Sequence, residues 1–237
     1  MKERYLNREH LFMIHTDFQT EGRGQHGNGW ESERGKNLLF STLIQRPPIR
    51  VDEQFRLSMW ISVCLVQSLK QVTGLSDYRI KWPNDIYLGD KKLAGILIES
   101  SLQAGEITYA IVGVGLNVNQ EVWLGDAPNP TSLKLETGKE WDREQLLQTI
   151  SYQIKKIHIG DSDIDRLYQS KLFRRYGYHR YVECVVSSTP TMIARGGCEG
   201  EFDAEYVGIT PMGELMLRLR SGEVRTYHFK QIRYVLQ

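Results

Sequence analysis

The chain has 237 residues, 41% hydrophobic and 25% charged, with a formal net charge of +1. That is apolar material enough for a full core, in one large domain or one domain with a small appendage. Near-neutral charge excludes bulk attraction to nucleic acid or to an anionic membrane, so any cationic function has to be local. Cys64, Cys184 and Cys198 stand far apart without a CxxC pair, and free thiols in a reducing compartment are expected. The six histidines have no HxxxH or HExxH spacing, which argues against a protein-built zinc site. Residues 1–7 are charged and lack the apolar stretch of a signal peptide. No apolar run reaches the ~20 residues that cross a bilayer, so a cytoplasmic protein is expected.

Residues 11–15 are apolar and brief, as a short buried strand is. Gly22, Gly24, Gly27 and Gly29 then fall within eight positions, a density that suits neither helix nor strand and predicts a loop. Residues 38–44 read as the next strand, closed by Pro47 and Pro48. Asp52 is expected to cap a long helix that runs to about Val72 and stops at Gly74, with Phe55, Met59, Trp60, Val63 and Val66 on its apolar face. Pro83 forces an extended or turn geometry on Trp82. Residues 86–88, the Gly89-Asp90 turn and residues 93–99 read as a hairpin, followed by a strand over 107–114. Asp142 and Gln145 resemble a capping box that opens an amphipathic helix through Ile157. A second helix is expected over about 163–176, ending at Gly177. Beyond it the helical period disappears. Strand-like runs at 181–186, 204–209, 214–219 and 224–229 alternate with turns and predict a small all-β module.

Three stretches carry candidate chemistry. Residues 22–27, Gly-Arg-Gly-Gln-His-Gly, have the letters of a dinucleotide loop but are not followed by a helix that could present its N-terminus to a pyrophosphate. A surface loop is one reading. The other is a cationic lid, in which glycines wrap a ligand closely, Arg23 supplies a forked donor and Trp30 packs over a planar group. Residues 81–97 set Lys81, Asn84, Asp85 and Lys92 around two apolar strands. Asn84 and Asp85 suit a turn, and Lys91 suits a lysine that snorkels to water. Lys92 is the better ligand contact, because Gly95 three residues on marks a close approach to the strand. Residues 113–119 place Gly113 and Gly115 in an apolar strand and end on Asn117 and Asn119, which fits either a bulge with a turn or a strand end that admits a nucleotide.

In this order and spacing the three stretches resemble the catalytic domain of the bacterial biotin protein ligase family. Its pattern is a GRGRxGRxW loop, a KWPND block followed by KxxGIL, and a GxGxN strand. Residues 208–215 stand where the family's small SH3-like domain has its turn. The resemblance implies an α+β fold, with a mixed sheet flanked by helices as in class II synthetases over residues 1–179 and an SH3-like β-barrel over 180–237. It implies activation of biotin by ATP to biotinyl-5'-adenylate and transfer to a lysine of a biotin carboxyl carrier domain, with Mg²⁺ arriving on ATP. It implies catalytic roles for Lys92, Arg23 and Asp85, with Asp85 also touching the metal. Biotin contacts fall on Gln19, Gly22, Arg23, Lys92 and Gly95. Nucleotide contacts fall on Gln25, His26, Trp30, Lys81, Asn84 and Asn117.

The chain departs from the family at several positions. Gln25 and His26 replace the usual lid arginines, and Glu21 sets an anion where a small residue is usual. No Ser-Thr-Asn turn, which touches biotin in the family, precedes the lid, so weakened biotin binding is expected. The roughly twenty residues before the lid are too few for a helix-turn-helix, so a ligase without DNA binding is expected. Exposed strand edges suit a homodimer or carrier docking. The alternatives are a lipoate-type acyl-adenylating ligase and a degenerate module that binds biotin without catalysis.

Overall fold

The computed structural model describes residues 2–5, 11–25, 28–125, 129–184 and 198–236. Seven strands form the larger sheet: β1 (Lys2–Tyr5), β2 (Leu11–Thr16), β3 (Leu38–Gln45), β4 (Tyr78–Lys81), β5 (Asp85–Leu88), β6 (Lys91–Gln103) and β7 (Glu106–Leu116). Their spatial order is β1-β2-β3-β7-β6-β5-β4. Every pairing between these strands is antiparallel, where a mixed sheet was expected. The only parallel contacts among the described residues are single bridges, Ile80 with Leu172 and Lys92 with Pro130. The protein is α+β.

One face of the sheet is covered by α1 (Phe55–Thr73), which also packs on α3 (Arg143–Lys156) and α4 (Ile164–Ser170). Leu57, Ile61, Cys64, Leu65 and Leu69 of α1 are fully buried. Each such side chain contributes roughly 1.5–3 kcal/mol of burial, so α1 anchors the layer. It stops at Gly74 in the left-handed conformation, as expected. It begins differently. Arg50 grips the Asp52 carboxylate (Nη2–Oδ2 2.7 Å), and Val51–Glu53 form a 3-10 turn, so Asp52 does not cap the helix.

Asp142 does cap α3, accepting hydrogen bonds from the amides of Glu144 (2.8 Å) and Gln145 (3.3 Å). The last expected helix is shorter than its period suggested. After Ser170 the chain turns to exchange backbone hydrogen bonds with β4: Ile80 N donates to Lys171 O, and Phe173 N to Ile80 O. Tertiary pairing there outweighs helix propensity.

The remaining strands are β8 (Tyr178–Cys184), β9 (Cys198–Ile209), β10 (Leu215–Leu219), β11 (Val224–Tyr227) and β12 (Ile232–Tyr234). They form a second antiparallel sheet in the order β11-β10-β9-β8-β12. An aromatic seam joins the two sheets. Phe229 lies 5.2 Å from Trp82 and 6.2 Å from Phe55, and Tyr234 lies 6.1 Å from Phe173 (ring centroids). Within the seam Trp82 Nε1 donates to Gly213 O at 2.9 Å. β1, β4, β12 and the short α2 (Leu133–Thr137) had no counterpart in the sequence reading.

Candidate active site

The turn between β4 and β5 is held on all sides. Trp82 is buried in the seam. The Pro83 carbonyl accepts from Ser58 Oγ (2.9 Å) and Tyr168 OH (3.1 Å). The Asn84 side-chain amide donates to Ile96 O, while Asn84 O accepts from Ile96 N (3.2 Å). With Asn84 clamped to β6, Asp85 is fixed opposite Gly95.

Lys92 and Gly95 are three residues apart, and a regular strand would send them to opposite faces. A bulge between Ile86 and Tyr87 resolves this by pairing Tyr87 with Lys92 and skipping Leu93. Leu93 is buried in the core and Lys92 turns to the open face. Its backbone is held by the 129–131 segment, through Lys92 N to Asn129 O and Thr131 N to Lys92 O. The ammonium reaches Asp85 Oδ1 at 2.8 Å, with both side chains a quarter exposed or less.

Gly95 and Gly115 face each other across β6 and β7, and Trp30 lies on them. A Cβ at Gly95 would come within 2.9 Å of Trp30 Cζ3, and one at Gly115 would fall inside the indole. Only a floor without side chains admits the ring so closely. The Trp30 Nε1 is buried without a hydrogen-bond partner. Lys92 Nζ lies 5.7 Å from the ring centroid.

The glycine loop folds back on itself through Trp30 N to Gly22 O (2.8 Å) and Gly24 N to Asn28 O (2.7 Å). Arg23 is mostly exposed, its guanidinium 4.0 Å from Glu99. Past Trp30, Glu31 accepts from the amides of Leu124 and Gly125 (both 2.8 Å). Gln120 accepts from Glu33 N (3.0 Å) and from buried Asn37. These anchors were missed in the sequence. Asn37 and Gln120 lie 83 residues apart, and no local pattern pairs them.

Strands, loop and seam enclose one cavity of about 530 Å³. Arg23, Asp85 and Lys92 line it together, as do Gln19, Gly95 and Trp30. Lys81, Asn84 and Gln25 also reach it. Gly22 forms the loop's backbone bond to Trp30 and is outside the lining, and His26 lies outside the described residues. Asn117 is outside the lining too. It is buried, donating to Thr131 O at 2.9 Å, with its side-chain oxygen unpartnered. Lys81 sits between the faces of Tyr87 (5.4 Å) and Tyr234 (5.1 Å). Burial pulls its pKa below the usual lysine value, against the pull of Asp85. Glu21, Ser41, Phe229 and Lys230 are also among the lining residues and were not expected there.

Fold and cavity together define an α+β protein with a glycine-floored ligand site rich in cations. Residues 2–117, which hold all of that site except the contribution of the second sheet, match the profile of the biotin/lipoate A/B protein ligase family. The chain is 29% identical over 226 residues to the bifunctional ligase/repressor BirA of Bacillus subtilis, which covers 91% of this chain and 64% of that protein. It is 33% identical over 138 residues to the biotin--[acetyl-CoA-carboxylase] ligase of Paracoccus denitrificans, covering 56% of this chain and 57% of the relative. Its structure is similar to that of the biotin protein ligase from Aquifex aeolicus in complex with biotin and ATP. The TM-score is 0.68 and the identity 26%, with 94% of this chain and 89% of the other covered. The chain thus spans less than two thirds of the Bacillus relative's length. Among the described residues no helix is long and apolar enough to cross a membrane.

Proposed function

We propose that the chain is a biotin protein ligase, which activates biotin with ATP and transfers it to a lysine of a biotin carboxyl carrier domain. The observation that carries this reading is the meeting of Arg23, Lys92 and Asp85, from stretches almost 70 residues apart, around one cavity. In the first half-reaction an oxygen of the biotin carboxylate bonds to the α-phosphorus as the bond to pyrophosphate breaks. Pyrophosphate leaves. In the second half-reaction the carrier lysine, as a free amine, attacks the acyl carbon. The bond to AMP breaks, and the amine proton passes to solvent.

Both halves gather negative oxygens, and cations placed beforehand stabilise that charge where it develops. Lys92 is the fixed cation, since the bulge and its pair with Asp85 hold the ammonium at the cavity. Arg23 is the movable one, because a 4.0 Å pair at an exposed position constrains it little. Gln19 and the glycine floor take biotin. Lys81, Asn84 and Gln25 take the nucleotide, with Trp30 as the planar surface beside it, and Asn117 fixes the end of β7 through its hydrogen bond to Thr131 O.

A metal would come with ATP. The described residues hold no cluster of three acidic, histidine or cysteine groups. One carboxylate, Asp85, fits an ion carried chiefly by phosphates, and such Mg²⁺ would neutralise phosphate oxygens. The protein would act in the cytoplasm. Residues 1–179 form the catalytic part and 180–237 an SH3-like module.

The test is biotin-dependent exchange of labelled pyrophosphate into ATP, with lipoate as the competing acid. Exchange with lipoate alone, or with neither acid in a folded preparation, overturns the reading. Lys92→Ala is expected to slow exchange by about 10²–10³-fold with an unchanged thermal unfolding curve.

A further inference from the structure

Two of the chain's three cysteines, distant in sequence, meet in the second sheet. Cys184 is the last residue of β8 and Cys198 the first of β9, and the antiparallel register sets them opposite each other. Residues 185–197, between them in sequence, lie outside the described residues.

The hydrogen bonding of β8 identifies the kind of rung this is. Opposed residues of an antiparallel ladder either exchange both backbone hydrogen bonds or exchange none. Cys184 N donates to Gln231 O at 2.8 Å, on the side of β12. Its backbone polar groups are therefore turned away from β9, and Cys184 forms a non-hydrogen-bonded pair with Cys198. In such a pair the Cα atoms lie about 4.5 Å apart, within the roughly 4.4–6.8 Å that a disulfide spans. A register shift between Val182 and Glu183 interrupts the ladder just before the rung, and the rung is the last of its hairpin on both strands. Both features let it adjust to a covalent bond without straining the sheet.

The third cysteine is placed differently. Cys64 is fully buried in α1, and burial pushes its thiol pKa far up, so it is inert as a nucleophile. Cys184 is half-buried, within reach of a small reagent.

We propose that Cys184 and Cys198 form a reversible redox modification site, closed into a cross-strand disulfide by a low-molecular-weight disulfide. The site is independent of the ligase reading. One cysteine, as thiolate, attacks a sulfur of the small disulfide. That S–S bond breaks, one small thiol leaves, and a mixed disulfide remains. The second cysteine attacks the protein-bound sulfur, the Cys184–Cys198 bond forms, and a second small thiol leaves. Two electrons and two protons pass from the cysteines to the small disulfide. In a reducing compartment the pair stays as thiols and closes under oxidising conditions.

The experiment uses the full chain, first reduced and then equilibrated with oxidised glutathione. Remaining thiols are alkylated under denaturing conditions, and the chain is digested with trypsin without reductant and read by mass spectrometry. Cleavage after Arg195 separates the two cysteines, so an internal disulfide joins peptide 181–195 to peptide 196–218. The linked pair is expected as the main oxidised product, with Cys64 alkylated and the protein running as a single chain on a non-reducing denaturing gel. Dithiothreitol is expected to restore all three alkylatable thiols. Cys184→Ser and Cys198→Ser are each expected to lower the yield of linked pair at least about tenfold and to leave a glutathione mixed disulfide on the remaining cysteine. A parent chain that keeps all its thiols, that carries only mixed disulfides, or that links only to a second copy of itself overturns the proposal.

Discussion

At Gly115 a single methyl group would collide with the Trp30 indole, and the ring cannot rise without leaving the floor it shares with Gly95. Gly115→Ala is therefore expected to expel Trp30 and to cost about 1–3 kcal/mol by overpacking. Thermal unfolding reads the cost. Intrinsic fluorescence reads the ring, through a change present in the parent background and absent when Trp30→Phe is combined with it. The same close approach accounts for two of the glycines noticed in the sequence at 95 and 113–115. Gly113 meets only ordinary contacts from Leu97 and Ser41, so the tight glycine of that strand is the second one.

The segment that leads into the glycine loop is tied to the start of α3. Arg143 Nη1 lies 2.8 Å from Asp17 Oδ1 and 3.2 Å from Asn37 O, so the end of β2, the start of β3 and the helix share one guanidinium. The hydrogen bond from Arg143, and then its charge, lowers the Asp17 pKa from the ordinary 3.8. The folded value is depressed, so below about pH 3.8 the unfolded chain binds more protons than the folded one. Stability from this pair is complete above that pH and is lost as pH falls through the lowered folded value. Asp17 is largely exposed, and solvent screening keeps the contribution small. Arg143→Ala is expected to move the Asp17 titration, followed by NMR, back toward its ordinary value and to shallow the acid limb of the stability curve. An unmoved Asp17 titration would place the cause elsewhere.

The two sheets act as one body because the turn at Gly213 is pressed into the helical layer. Gly213 has φ +91, and a Cβ there would meet the Phe55 ring at 2.5 Å. Its carbonyl takes the Trp82 indole hydrogen bond. Gly213→Ala is strained both in backbone and in packing, and is expected to destabilise by about 1–3 kcal/mol. Because Phe229, Lys230 and Ile232 wall the cavity from the same side of the seam, pyrophosphate exchange should fall with it. Full activity in a destabilised Gly213→Ala protein would show that the seam and the cavity are independent.

Much of this was legible in residue order. Hairpin β5–β6, helices α1 and α3 and the late change to strands all follow from local periodicity and from stops such as Gly74. Lys81, Asn84, Asp85 and Lys92 stood out because charge was concentrated around apolar strands. Local order could not reveal the sheet's wholly antiparallel pairing, the early end of α4 against β4, or the bulge that turns Lys92 to the side of Gly95. Nor could it show that Asn84 clamps β6, that Asn117 is buried against Thr131, or that Lys230 reaches the cavity. Periodicity reports which side of an element is apolar. It does not report which distant segment will satisfy a given backbone or amide group, because that partner is chosen only when the layers pack and every buried polar group must be paired at once.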